Sequence, residues 1–285
     1  MHPADFDPMA DYPGHDAAHE LGPILRVQEA QATAAQDAIA CEQAVALEYN
    51  GIAHATLLAS PLHIEELALG FSFTEGIVQA ASDVLDLDVE TTPLGLIVRL
   101  TIVNARLHAL KQRRRTLAGS TGCGLCGVQS LAQVPRDLPP LPRPVQPWRR
   151  AAIVRALREL RQHQPLHNLT GATHAAAWAD AHGKPGWIYE DVGRHNALDK
   201  LIGRLLREPV DRGAGFVVVS SRASFEMVQK AHAAGIGALI AVSAPTTLAV
   251  RLAQSARMML AGFARDGRFT IYSHPDYLEQ DRSHP

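Results

Sequence analysis

Short β-rich apolar runs and amphipathic segments of helical period take turns from Ala172 to Tyr272, and this alternation restricts the fold more than any other feature. The β-type runs are 172–178, 187–189, 216–220, 238–242 and 269–272; the helical ones are 196–207, 225–234 and 248–260. Such an order predicts a layered sheet with some parallel pairs, joined by right-handed crossovers. Ligands on sheets of this kind sit beyond the carboxyl ends of the strands. Three polar clusters fall at those ends: Glu190-Asp191-Val192-Gly193-Arg194-His195-Asn196, Ser220-Ser221-Arg222-Ala223-Ser224 and Ser243-Ala244-Pro245-Thr246-Thr247. Asp191, Ser224 and Thr246 have a plain reading as helix caps. Arg194 and Arg222, each just past a strand and beside a helix start, suit a phosphate cradle. The chain has neither a Walker A loop nor a G-x-G-x-x-G, so a nucleotide would be held in another way.

Upstream the pattern changes. Residues 1–35 are acidic, contain four prolines and few large apolar groups, and read as a disordered or loosely attached tail. They lack a basic start and an apolar run, so no signal peptide is expected. Residues 36–115 read as a smaller α+β unit. Asn50-Gly51 between two apolar runs signals a hairpin, because both residues tolerate a positive φ. Ser60-Pro61 caps a helix, and 86–89 with 96–103 form a second hairpin. Residues 116–147 are a mobile loop and a connector with six prolines between 134 and 147; residues 148–285 form the α/β domain, opened by an amphipathic helix over 148–162 with Ile153, Leu157 and Leu160 on one face. The apolar fraction of 47% supports a core, and a net charge of −2 gives no field that would gather nucleic acid. No run approaches the roughly 20 apolar residues of a membrane span, so a soluble cytoplasmic protein is expected.

The loop holds two of the three cysteines, in Gly122-Cys123-Gly124-Leu125-Cys126-Gly127. Flanking glycines leave the sulfurs unshielded, and Lys111-Gln112-Arg113-Arg114-Arg115 just upstream favours thiolate over thiol. Three chemistries compete. A zinc site wants four ligands, and one CxxC offers two, with His163 and His167 the nearest spaced histidines. A dithiol oxidoreductase places its CxxC at a strand-to-helix start, whereas these flanks read as loop. A sulfur or persulfide carrier needs one exposed thiolate, which the loop supplies. Cys41, in an Ala-rich amphipathic stretch, reads as a buried small residue.

These segments resemble a known family. Thr121-Gly122-Cys123-Gly124-Leu125-Cys126-Gly127, Thr170-Gly171-Ala172-Thr173-His174, the run from Glu190 to Lys200 and the run from Ser220 to Lys230 are similar to the FdhD family. So are Tyr49-Asn50-Gly51-Ile52, residues 71–77 and Gly262-Phe263, all in the same order, from about residue 42 to 274. The resemblance implies an α/β fold class: a C-terminal cytidine-deaminase-like layered sheet with helices, plus the smaller N-terminal α+β subdomain. The deaminase zinc motif is missing, since His174 is followed by Ala175 and Ala176, and no metal site is expected.

The resemblance further implies a sulfurtransferase, a sulfur carrier for formate dehydrogenase maturation. Such a protein takes persulfide sulfur from a cysteine desulfurase. It passes the sulfur to the molybdenum of bis-molybdopterin guanine dinucleotide, its bound substrate, before insertion into apo formate dehydrogenase. By the same resemblance Cys123 carries the persulfide, with Cys126 assisting. Phe263, Ala264, Arg265, Asp266, Gly267 and Arg268 contact the cofactor, with Phe263, Gly267 and Arg268 matching the family and the inner residues varying. GDP is the expected partial mimic. A homodimer is expected, packed through the helix over 248–260. A different class, a chaperone that only holds and docks the cofactor, would leave the cysteines secondary.

Overall fold

The computed structural model of the chain describes residues 18–29, 31–117 and 138–280, with the backbone alone for 113–117. It begins with a two-stranded antiparallel ribbon, His19–Gln28 (β1) and Gln31–Ala40 (β2). One face carries Leu21, Pro23, Leu25 and Val27 opposite Ala38, Gln36, Ala34 and Ala32. Leu21, Leu25 and Val27 on that face are exposed. The segment expected only as a tail is thus strand from His19 onward.

Gln43–Tyr49 (β3) and Ile52–Ala59 (β4) form the expected hairpin, with Asn50 at φ 48° and Gly51 at φ 77° in the turn. Ile64–Thr74 (α1) follows, then Val84–Thr92 (β5), Gly95–Ile102 (β6) and Asn104–Leu117 (α2). The two hairpins do not stand apart: β3 pairs parallel with β6, giving one sheet in the order β4-β3-β6-β5. Tyr49, Leu47, Val98 and Leu100 of this sheet pack against Ile64, Leu67 and Ala68 of α1.

The larger unit contains Arg150–Gln162 (α3), Pro165–Thr170 (α4), His174–Ala179 (β7), Pro185–Asp191 (β8), Arg194–Arg207 (α5), Phe216–Val219 (β9), Phe225–Ala233 (α6), Ala238–Ala241 (β10), Thr247–Ser255 (α7), Met259–Arg265 (β11) and Arg268–Ser273 (β12). Its sheet has the order β12-β11-β10-β9-β7-β8. β9, β10 and β11 run parallel, and every residue of β9 and β10 is buried, as expected of strands covered on both faces. β7 is antiparallel to both its neighbours, so β8 points the same way as β9. Leu198, Leu201, Met227 and Leu252 from α5, α6 and α7 cover one face; Ile153, Leu157 and Leu160 of α3 cover the other. The layered α/β sheet and the smaller α+β unit are both as expected.

One element differs. The helix expected over 248–260 ends at Ser255, and Met259–Arg265 is a strand. Arg257, at φ 55°, turns the chain, and Met258, Met259 and Leu260 are buried in the sheet. An apolar run buried on both faces lacks the polar side that would mark it as strand, so periodicity alone reads it as more helix. The face expected to meet a second copy is also in use: Ala249, Leu252, Ala253 and Ala256 belong to the chain's own core.

The two units meet where α1 crosses α5. A Cβ on Gly70 of α1 would overlap the Asp199 carbonyl oxygen, and one on Gly203 of α5 would overlap the Glu66 carbonyl oxygen. Only glycine at both positions allows this close approach. Gly70→Ala therefore forces the helices apart and should lower unfolding stability by about 2–3 kcal/mol. Urea unfolding measures this; an unchanged midpoint would contradict the packing.

Candidate functional site

Because β8, β9, β10 and β11 share a direction, the segments that follow them gather along one edge of the sheet. His174, the first residue of the antiparallel β7, joins them there, level with Asp191. Residues 221–224 and 243–246 run side by side, bridged at Ala223 and Pro245. The strand-end clusters of the sequence thus share one border. Most of their side chains hold that border together.

Asp191 is fully buried, and its carboxylate accepts from Ser60 N (3.1 Å), Gly193 N (2.7 Å), Asn196 Nδ2 (3.0 Å) and Lys200 Nζ (2.6 Å). Lys200 Nζ also donates to the Ser60 carbonyl at 3.0 Å, and Asn196 Nδ2 to the Leu58 carbonyl at 2.8 Å. The strand-end turn of β8 is thereby tied to the end of β4. Burial pushes Lys200 below the ordinary lysine range, against the pull of Asp191. Glu190 acts in another direction: it accepts from Leu166 N, His167 N and Thr173 Oγ1, holding the first turn of α4.

A second buried pair locks the helices. Lys230 of α6 donates to Asp199 of α5 at 2.9 Å and to Thr74 of α1 at 2.9 Å; Thr74 in turn donates to Asp199. Burial pushes the Asp199 carboxyl up, while Asp199 and Glu75 outweigh burial at Lys230 and hold its ammonium above the usual range. Asp199, Lys200 and Lys230, part of the runs that carry the family resemblance, are buried in these pairs.

Most of the other polar residues of this border are half-buried or exposed. Ser224 sits at the N-cap of α6, yet its hydroxyl makes no capping bond and is buried without a partner. Thr246 does cap α7, accepting from Ala249 N at 3.3 Å. His195 Nε2 lies 3.0 Å from Glu226 Oε2. Contact with His195, helped by the charges of Arg194 and Lys230, holds the Glu226 carboxyl low. Burial, then the charges of Arg194, His167 and Arg222, hold the His174 imidazole below its ordinary range.

Farther along the edge, β11 and β12 end in a two-residue turn, Asp266 (φ 52°) and Gly267 (φ 75°). The positive φ at both positions is that of a tight hairpin turn, and Asp-Gly is its usual sequence. This places Arg265 directly opposite Arg268. Like charges facing each other across a ribbon repel, unless an anion lies between them. Both arginines line a cleft of ≈ 800 Å³ with Phe263, Gly267, Phe269 and Arg150. Phe263, at φ 52°, is turned outward and half-exposed. Of the six residues expected at the cofactor, Phe263, Arg265, Gly267 and Arg268 line this cleft. Ala264 is buried in the core, and Asp266 faces Arg161 of α3 at 3.7 Å. Arg194 and Arg222 share the edge but are not walls of the cleft. Arg150, at the start of α3, was missed; it is 115 residues away in the chain from Arg265, and nothing in its neighbourhood marks it.

Cys123 and Cys126 lie outside the described residues. Cys41 is half-buried between β2 and β3, and burial, then Glu20, raises its thiol above the ordinary value. Among the described residues there is no group of three or more His, Cys, Asp or Glu side chains placed to hold a metal, and no helix long and apolar enough to cross a membrane.

Residues 40–279 match the FdhD/NarQ family. The chain belongs to that family. Among FdhD/NarQ proteins, the "Sulfur carrier protein FdhD" of Bordetella petrii is 53% identical over 257 residues, covering 90% of this chain and 92% of that protein. The protein of the same name from Cupriavidus necator is 47% identical over 286 residues, covering 99% and 98%. A crystal structure described as a putative formate dehydrogenase accessory protein from Desulfotalea psychrophila has the same fold, with a TM-score of 0.70 at 20% identity over 92% of this chain and 100% of that one.

The buried Asp191–Lys200 pair generates a direct test. Lys200→Met leaves the Asp191 charge buried without its main partner and should cost about 3–5 kcal/mol. Denaturant unfolding reads this loss; a variant as stable as the parent would contradict the role assigned to the pair.

Proposed function

We propose that this FdhD/NarQ chain is a sulfur carrier serving formate dehydrogenase maturation. The observation that carries the reading is 53% identity across nine-tenths of the chain to a protein named as a sulfur carrier, and the formate dehydrogenase part is supported by the description given to the crystal structure with the same fold. The Gly-flanked CxxC and the facing Arg265 and Arg268 support it from the chain's own residues.

The Cys123 thiolate attacks the outer sulfur of a cysteine desulfurase persulfide. The donor's S–S bond breaks, the donor cysteine leaves as thiolate, and Cys123 holds the persulfide. Bis-molybdopterin guanine dinucleotide is the substrate that receives the sulfur on its molybdenum. Its anionic phosphates suit the Arg265–Arg268 pair, whose repulsion they would relieve, and its guanine suits the outward face of Phe263. Delivery follows if the Cys126 thiolate attacks Cys123 Sγ: the outer sulfur leaves as sulfide, and a Cys123–Cys126 disulfide remains for a thiol reductant to reopen. The loaded cofactor then passes to apo formate dehydrogenase.

Loading and cofactor binding rest on different residues and should separate. Cys123→Ala should abolish formate dehydrogenase activity in a complementation assay while leaving GDP binding intact. Arg268→Ala should weaken GDP binding by about tenfold, the value of one charge-assisted contact, without affecting sulfur loading. Full formate dehydrogenase activity with Cys123→Ala would overturn the carrier reading, and unchanged GDP affinity in Arg268→Ala would misplace the cofactor.

A further inference from the structure

The cleft that holds Arg265 and Arg268 has a second cationic end. Arg150 is the first residue of α3, and Arg161 of the same helix lies 3.7 Å from Asp266 in the turn between β11 and β12. At 1.5 Å of rise per residue, the two arginines stand about 16 Å apart along the helix. Helix α3 therefore runs from Arg150 at one end of the cleft to the Asp266-Gly267 turn at the other. The β12 wall separates the same two ends. Arg268 is followed by Phe269, Thr270 and Ile271, all lining residues, over about 10 Å of strand. Leu278 continues the lining, and it is bridged to Trp148, just before Arg150.

A single diphosphate is too short to touch both ends. With its oxygens between Arg265 and Arg268, the rest of the ligand extends toward Arg150, past Phe263 and Phe269. At ≈ 800 Å³ the cleft is of the size that encloses a whole small molecule rather than an isolated anion. Beside Arg150 the lining is Ile271 and Leu278, which offer a base no hydrogen bond from their side chains. The guanidinium offers a fork of donors, which matches two neighbouring acceptors in one plane. Guanine presents such a pair, O6 and N7. Adenine presents N7 beside an amino group, so there a donor would face a donor.

We propose that Arg150 selects the base: its guanidinium donates to guanine O6 and N7, while the diphosphate lies between Arg265 and Arg268 and the ring rests on Phe263. The inference rests on the function proposed above, since it takes one guanosine diphosphate arm of that cofactor as the ligand of the cleft. It divides the work between two elements. The hairpin arginines hold the diphosphate of any nucleotide, and the start of α3 decides which nucleotide stays.

Calorimetry of the full chain with GDP, ADP and inorganic pyrophosphate tests this division. The parent should bind GDP more tightly than ADP by about tenfold or more, the usual discrimination of one bidentate guanine contact. Arg150→Ala, a change at an exposed position, should bring GDP down to the level of ADP and leave pyrophosphate unchanged. Arg150→Lys keeps the charge but loses the fork, and should fail to restore the preference. Arg268→Ala should weaken GDP, ADP and pyrophosphate alike and preserve the preference for GDP. An unchanged ratio of GDP to ADP affinity in Arg150→Ala would overturn the assignment. So would a loss of pyrophosphate binding in that variant, which would make Arg150 a phosphate contact. Failure of GDP to bind even the parent would instead count against the function proposed above.

Discussion

Two glycines facing each other across a helix crossing set the geometry of this protein. Gly70 and Gly203 bring the α1 and α5 backbones within reach of each other's carbonyl oxygens, closer than any side chain would permit. At that distance the Thr74 hydroxyl and the Lys230 ammonium reach Asp199, and Lys200 reaches both Asp191 and the Ser60 carbonyl. Desolvating these charges is expensive, and it is tolerable because each finds several partners in fixed geometry. The two ion pairs themselves lie within the larger unit, Asp191 with Lys200 and Asp199 with Lys230. The close crossing adds partners from the smaller unit, Thr74 to Asp199 and Lys230 and the Ser60 backbone to Asp191 and Lys200, and these contacts join the smaller sheet to the larger one.

That junction lies directly behind the sheet edge that gathers the strand-end segments. Asp191 ends β8, and the next two residues lead to the turn that presents Arg194 and His195. The anchoring residues share a single segment with less buried ones: Asp191, Asn196, Asp199 and Lys200 are buried, while Arg194 and His195 are only half-buried. A rigid support of this kind lowers the entropic cost of gathering several cations around one anion. At the far end of the edge, the Asp266-Gly267 turn does the same by backbone geometry alone, fixing Arg265 against Arg268.

The layered sheet was legible because β9 and β10 are short, wholly apolar and bounded by polar turns, and because helices of clear period separate them. Asn50-Gly51 marked its hairpin for the same reason that Asp266-Gly267 could have marked β11: both pairs accept positive φ. That second signal was hidden by the apolar run before it, which reads equally as the end of a helix. The parallel pairing of β3 with β6 and the assignment of Asp199 and Lys230 to one another depend on contacts distant in sequence, which no local pattern carries. The strand-end segments were recognisable as special, but not which of their residues are scaffold; that division emerges only when burial and hydrogen-bond partners are known. Arg150 enters the cleft by tertiary placement alone.

The central claim is that this rigid edge serves a carrier of sulfur. It is tested most directly by intact-mass measurement of the full chain after incubation with a cysteine desulfurase and cysteine, followed by peptide mapping. The account predicts a gain of one sulfur atom, located on Cys123, sensitive to thiol reductant and retained in Arg268→Ala. An unchanged mass, or added sulfur on Cys41 instead, would contradict it.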